Sequence, residues 1–252
     1  MIVPRIMIVI LTLVIFLMKY KKMDKNVFKF KINNPYKPDE ILEQEVLLSN
    51  SLQYDYSNTD WIAVDAEFLG LNLYRDALCS IQISSADPDK KERQRVEIVH
   101  VYNQNPDKKL GALFNSDKLK IFHVFSSDLA MLSKYFGKSV VGPFFDTKIA
   151  TKIAWTNSNK FSKTELIKTF IDPKYDSQEY SNARWELNVS KWNPKMVKYA
   201  SMDVLYLHPI MNKLKDMAKE RNRLELVQTA MEAIPLLSKL YSNGFDVDVF
   251  KF

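Results

Sequence analysis

Cysteine is almost absent from this chain. Cys79 stands alone among 252 residues, so no internal disulfide can form, and a reducing compartment is the simplest setting. Glycine is scarce, at five residues, and no low-complexity tract or internal repeat is present, which excludes a disulfide scaffold and a repeat array. Also missing is an unbroken apolar run of the about 20 residues that a full membrane span needs. Ile6 to Met18 is apolar apart from Thr12, with Pro4 and Arg5 ahead of it and Lys19, Lys21, Lys22 and Lys25 behind. Arg5 is the only early charge and no Ala-x-Ala follows, which argues against a secretory signal. Two readings of residues 1–25 stand side by side. Residues 1–18 anchor the chain in a membrane, with the lysines holding the following domain in the cytoplasm, or Met18 or Met23 is the true start and the stretch is a start-site artefact.

Hydrophobic residues make up 46% of the chain, enough for a sizeable core, and the length suits one domain with a short extension. The formal charge is +6 and the pI about 9.1. Lysines and arginines cluster at Lys19–Lys25, Lys90–Arg95 and Lys213–Arg223. Such a balance suits a polyanionic partner and is equally compatible with solvated faces.

Lys31 to Pro38 holds two prolines and two asparagines and reads as a linker or extended lead-in. Asp39 is placed to cap a short helix through Leu48. Trp61–Asp65, Ala77–Ser84 and Arg95–Tyr102 read as three strands with short connections, an antiparallel meander. Leu119–Phe125 is a fourth strand and Val140–Phe145 a fifth. Ser126 or Ser127 is placed to cap a helix between them that ends near Gly137. Asp146 or Thr147 caps the next helix. From Pro194 the pattern is helical, and Pro209 kinks or splits it. The expected fold is a mixed α/β layer structure, three antiparallel strands and then two more, flanked by helices.

Acidic residues at a few positions of this frame point to chemistry. Asp65 and Glu67 form the one Asp-x-Glu of the chain, and alternation on a strand puts both on one face at its carboxyl end. Asp128 falls in the first turn of a helix, where the macrodipole favours an anion. Tyr199 and Asp203 are four apart on a helix and share a face. Carboxylates gathered from distant segments repel unless a cation or a proton neutralises them, and hard divalent cations take oxygen ligands. The set suits a two-metal site that cuts phosphodiesters.

The segment Trp61–Ser84 resembles the first exonuclease motif of the ribonuclease D family, Lys120-Ile-Phe-His-Val-Phe-Ser-Ser-Asp128-Leu its second, and Tyr199-Ala-Ser-Met-Asp-Val-Leu-Tyr-Leu207 its third. Phe145–Ala150 and the Trp185 region also fit its spacing, and the resemblance covers residues 40–250. It implies a ribonuclease H-like fold and metal-dependent 3′-to-5′ exonuclease chemistry, releasing nucleoside 5′-monophosphates from single-stranded or 3′-tailed nucleic acid, with RNA favoured over DNA. It further implies two Mg²⁺ or Mn²⁺ ions held by Asp65, Glu67, Asp128 and Asp203, with Tyr199 orienting the attacking water. Asp65 would bridge the ions, Glu67 and Asp203 serve the water-side ion, and Asp128 act through a bound water. Phe68 and Leu69 are placed to pack on the last nucleotide, and Phe68 reads equally as core. Ala66 replaces the threonine usual in the family, with its side chain turned away from the acids. His123 is expected to pack or hydrogen-bond rather than to ligate. The chain looks most like short bacterial members without the C-terminal helicase-and-ribonuclease-D domain. A DNA exonuclease and a non-catalytic nucleic-acid-binding module on the same fold are the alternatives.

Overall fold

The computed structural model describes residues 25–70, 72–90, 93–156, 159–176 and 183–245. Residues 1–18 lie outside them, and so does the anchor expected there. No helix among the described residues is long and apolar enough to cross a membrane.

Seven strands form one mixed sheet in the order β1-β2-β5-β4-β3-β6-β7. They are β1 (Lys25–Asn34), β2 (Lys37–Ser49), β3 (Trp61–Phe68), β4 (Leu78–Ala86), β5 (Gln94–His100), β6 (Leu119–Phe122) and β7 (Phe144–Asp146). The β3-β4-β5 meander is antiparallel, whereas β6 and β7 run parallel to β3. Every residue of β4 from Leu78 to Ser85 is buried, at even and odd positions alike. Both faces of the sheet centre are therefore covered, as in a layered α/β domain.

The sheet has seven strands rather than five because residues 25–49 form a hairpin. Asp39 begins no helix; it lies in β2, which pairs antiparallel with β1 and parallel with β5. The stretch expected to be a linker is the end of β1 and the turn into β2. The period-two signal was present. Phe28, Phe30 and Ile32 turn inward while Val27, Lys29 and Lys31 are exposed, and Leu42, Val46 and Leu48 are buried from β2.

The helices are α1 (Lys108–Phe114), α2 (Phe125–Phe136), α3 (Thr147–Ala154), α4 (Lys163–Phe170), α5 (Pro194–Leu205), α6 (Leu207–Glu220), α7 (Leu224–Glu232) and α8 (Ile234–Ser242). Asn193 caps α5, its side chain accepting from Lys195 N and Met196 N, each at 3.0 Å, and Pro194 takes the first turn. Met196, Val197, Ala200 and Val204 are buried on α5, which packs across β3, β4 and β5. Met196, Val197 and Val204 each contribute about 1.5–3 kcal/mol by leaving water. The helix gives way to α6 at Tyr206, three residues before Pro209, as the proline predicts.

The hairpin is tied to the body by side chains. Asn33 Nδ2 donates to Asp172 Oδ2 at 2.7 Å. Tyr36 Oη meets His208 Nδ1 at 2.9 Å, and His208 stacks on Trp61 with ring centroids 3.9 Å apart.

Candidate active site

The site forms where β3 outruns its neighbour. β6 pairs with β3 only from Trp61 to Ala63 and ends at Phe122. The next residues cross the carboxyl end of β3 and open α2. Asp65 and Glu67, opposite Gln82 and Ser80 of β4, project there as half-buried groups.

The start of α2 departs from expectation. Neither Ser126 nor Ser127 caps it. The cap is Val124, in the left-handed region at φ 66°, with no side-chain hydrogen bond. A β-branched residue there is strained, and surrounding structure must hold it. Asp146 supplies the hold. Its Oδ2 accepts from Phe125 N and its Oδ1 from Ile149 N, each at 2.8 Å, so one carboxylate starts both α2 and α3. His123 joins the same support. His123 Nδ1 lies 2.8 Å from Thr147 Oγ1, and that hydroxyl also reaches the Phe122 carbonyl at 3.1 Å. Burial, then Lys163 and Lys148, depress His123 to about 3, so the ring is neutral. It hydrogen-bonds, as expected. Asp128, buried in the first turn of α2, is delivered toward Asp65 and Glu67 by this arrangement.

Asp203 and Tyr199 come from α5, one turn apart. Carboxylate oxygens of Asp65, Glu67 and Asp203 all lie within 4.8 Å of one another. Asp128 stands next to this trio and feels the charges of Asp65 and Glu67. The Tyr199 ring lies 6.0 Å from that of buried Trp185, which packs in turn on Trp192 at 5.1 Å. The structure thus brings together four acids and the tyrosine from β3, α2 and α5. Of the two residues placed beyond the acids, Phe68 is half-buried against the core and Leu69 is exposed.

One member of the cluster is invisible in the sequence. Lys163, the first residue of α4, turns inward, and its Nζ forms an ion pair with Asp203 Oδ1. Burial alone would depress this lysine, but Asp203 and Asp65 outweigh burial and raise it, so it stays charged. A lysine behind the capping Ser162 reads as a solvated helix start, and no local pattern signals its partner.

Electrostatics follow from crowding. Burial, reinforced by Asp203 and opposed by Lys163, raises Asp65 to about 7. Burial and the neighbouring acids also push Glu67 and Asp128 well above the usual carboxylate range. Three clustered carboxyl groups form a donor set made only of oxygens, whose protons a divalent cation can replace. That set fits Mg²⁺ or Mn²⁺ and not a thiolate- or imidazole-seeking metal.

A stability consequence can be measured in the metal-free protein. Asp65 titrates near 7 when folded and at about 3.9 when unfolded. The folded state then binds more protons between those values, and unfolding free energy falls as pH rises through that window. In EDTA, the melting temperature should drop from about pH 5 to about pH 8, and Asp65→Asn should show a shallower slope. Equal slopes in the two proteins would contradict this assignment.

A cleft of about 450 Å³ opens onto the cluster between α5, the segment after α4, and β1. Tyr199, Asp203 and Lys163 form its floor, and Lys31, Lys174, Lys195 and Lys198 line it. One wall therefore comes from the end of β1, within the stretch expected to be a linker.

Comparison with known proteins places the chain in a family. Residues 40–219 match the family described as 3′-5′ exonuclease (DNA_pol_A_exo1). The chain is similar to ribonuclease D of Zymomonas mobilis, 28% identical over 71% of this chain and 43% of that protein. It is also similar to the exosome complex exonuclease RRP6 of Saccharomyces cerevisiae, 30% identical over 69% of this chain and 22% of that protein. The chain thus spans less than half the length of these curated relatives. Among solved structures, Brucella melitensis NrnC with bound Mg²⁺ superposes with a TM-score of 0.65 at 28% identity, covering 80% of this chain and 92% of that one. NrnC bound to pGG gives a TM-score of 0.66. The sheet flanked by helices matches ribonuclease H-like exonuclease structures, and the chain belongs to the 3′-5′ exonuclease family.

Proposed function

We propose that this protein is a metal-dependent 3′-to-5′ exonuclease that shortens RNA from its 3′ end and releases nucleoside 5′-monophosphates. The observation that carries the reading is the convergence of Asp65, Glu67 and Asp203 within 4.8 Å, with Asp203 also lining a lysine-rich cleft. The names of the curated relatives, ribonuclease D and an exosome exonuclease, support RNA over DNA.

Two Mg²⁺ or Mn²⁺ ions would be held by Asp65, Glu67, Asp203 and, through water, Asp128, and would supply activation of water and stabilisation of the leaving 3′-oxygen. The protein's own groups do the rest. Lys31, Lys195 and Lys198 attract the phosphates of an incoming strand. Phe68 and exposed Leu69 contact the terminal nucleotide without reading its base. Burial and then the nearby acids raise the Tyr199 phenol, so it remains protonated. It orients the attacking water by hydrogen bonding and is not a base. Tyr199→Phe should therefore slow turnover roughly 10- to 100-fold, with KM little changed, because only the approach geometry is lost. Full turnover in steady-state assays would remove Tyr199 from the reaction.

Incubation of 5′-labelled RNA and DNA oligomers with and without Mn²⁺, resolved on a denaturing gel, tests the function. A descending RNA ladder only with Mn²⁺ is expected. A stable gel shift without shortening would support a binding module instead. A second reading concerns substrate length. The chain spans nearly all of NrnC, whose structure was solved bound to pGG, so very short oligomers belong in the assay. Cleavage of dinucleotides with long RNA untouched would favour that reading. If residues 1–18 anchor the chain, the untagged endogenous protein will sediment with membranes and its catalytic domain will face the cytoplasm.

A further inference from the structure

Lys163 occupies a position that local forces disfavour for a cation. It follows the Ser162 cap, at the positive end of the α4 macrodipole. Its side chain is also withdrawn from water, at 20% exposure. The carboxylates of Asp203 and Asp65 offset both penalties. The ammonium sits on Asp203 Oδ1, and the Asp203 carboxylate is one of the trio whose oxygens meet within 4.8 Å.

A divalent cation binds a carboxylate oxygen at about 2.0–2.6 Å. An ammonium already in contact with Asp203 repels a cation arriving on the same carboxylate at close range, so the two compete for it. Lys163 has somewhere to go, since it lines the cleft of about 450 Å³ alongside Thr164 and Tyr199.

We propose that Lys163 is the internal counter-ion of the metal-free site, held on Asp203 until a divalent cation displaces it into the cleft. This rests on the metal-dependent reading above. In the metal-free state the lysine keeps the acids together, and cation binding is an exchange that the lysine opposes.

Calorimetric titration of the EDTA-stripped full chain with Mn²⁺ tests the exchange. Lys163→Met should bind Mn²⁺ about tenfold tighter or more than wild type, and it should melt lower in EDTA. Lys163→Arg keeps the charge and should keep the wild-type affinity. Unchanged or weaker binding by Lys163→Met overturns the inference, as does equal tightening in Lys163→Arg. A wild-type protein that binds no Mn²⁺ would instead remove the metal reading itself. A measurement on the unaltered protein does not depend on how the variants fold. Under reductive methylation read by peptide mass, Lys163 should be protected in EDTA and labelled faster with saturating Mn²⁺. Equal labelling overturns the exchange.

Discussion

Asp65→Asn should lose metal-dependent RNA shortening on the order of 10³-fold or more. The change is nearly isosteric. It removes one charge from a position within 4.8 Å of Glu67 and Asp203 and leaves the strand pairing with Gln82 in place. Binding of a 3′-tailed oligomer should persist, because the cleft lysines stay. Folding should not suffer, since relieving repulsion among desolvated acids favours the metal-free state. Asp203→Asn should lose activity equally but behave differently as a fold. It strips Lys163 of its ion-pair partner and leaves a buried ammonium without a carboxylate in contact, which is destabilising. Removal of a crowded acid is therefore harmless at one position and costly at the other. Single-turnover assays and melting curves in EDTA separate these effects. Wild-type turnover in either variant would contradict the site.

Glu97→Ala should destabilise the fold by about 3 kcal/mol. Glu97 lies on β5, fully buried, and burial raises its carboxyl while hydrogen bonds oppose that shift. Its Oε1 accepts from Gln53 N at 2.6 Å, and its Oε2 accepts from Tyr54 N at 3.1 Å and from Tyr56 Oη at 3.3 Å. One side chain thereby satisfies the segment that carries the chain from β2 to β3. Truncation leaves the buried Tyr56 hydroxyl and two part-buried backbone donors without their acceptor, and each unsatisfied buried group costs about 1–3 kcal/mol. Because β3 carries Asp65 and Glu67, activity should fall in proportion to the folded fraction. Urea denaturation is the measurement. A loss below about 1 kcal/mol would mean that water replaces the carboxylate without strain.

Much of the site can be read from the sequence because its parts obey local rules. Asp65 and Glu67 end an apolar strand, and alternation alone puts them on one face. Tyr199 and Asp203 follow a capped helix start at Asn193 and Pro194, so helical spacing pairs them. The start of α2 is harder to read. Val124 adopts a left-handed conformation that its own side chain disfavours, and the Asp146 carboxylate that holds the turn lies 21 residues beyond Phe125 in the chain. The hairpin of β1 and β2 carried a legible alternation, masked by Pro35 and Pro38, which suggested a linker. Lys163 had no local signature. Its inward turn is set by carboxylates about 40 and 100 residues away in the chain, a balance of charges that only the tertiary structure assembles.

The most direct measurement of the central claim is anomalous diffraction from crystals of the protein soaked in Mn²⁺. The account predicts a peak within about 2.5 Å of carboxylate oxygens from Asp65, Glu67 and Asp203, with the Lys163 side chain moved off Asp203. A protein that shortens RNA in Mn²⁺ while its crystals show the ion elsewhere, and these three acids without one, would contradict it.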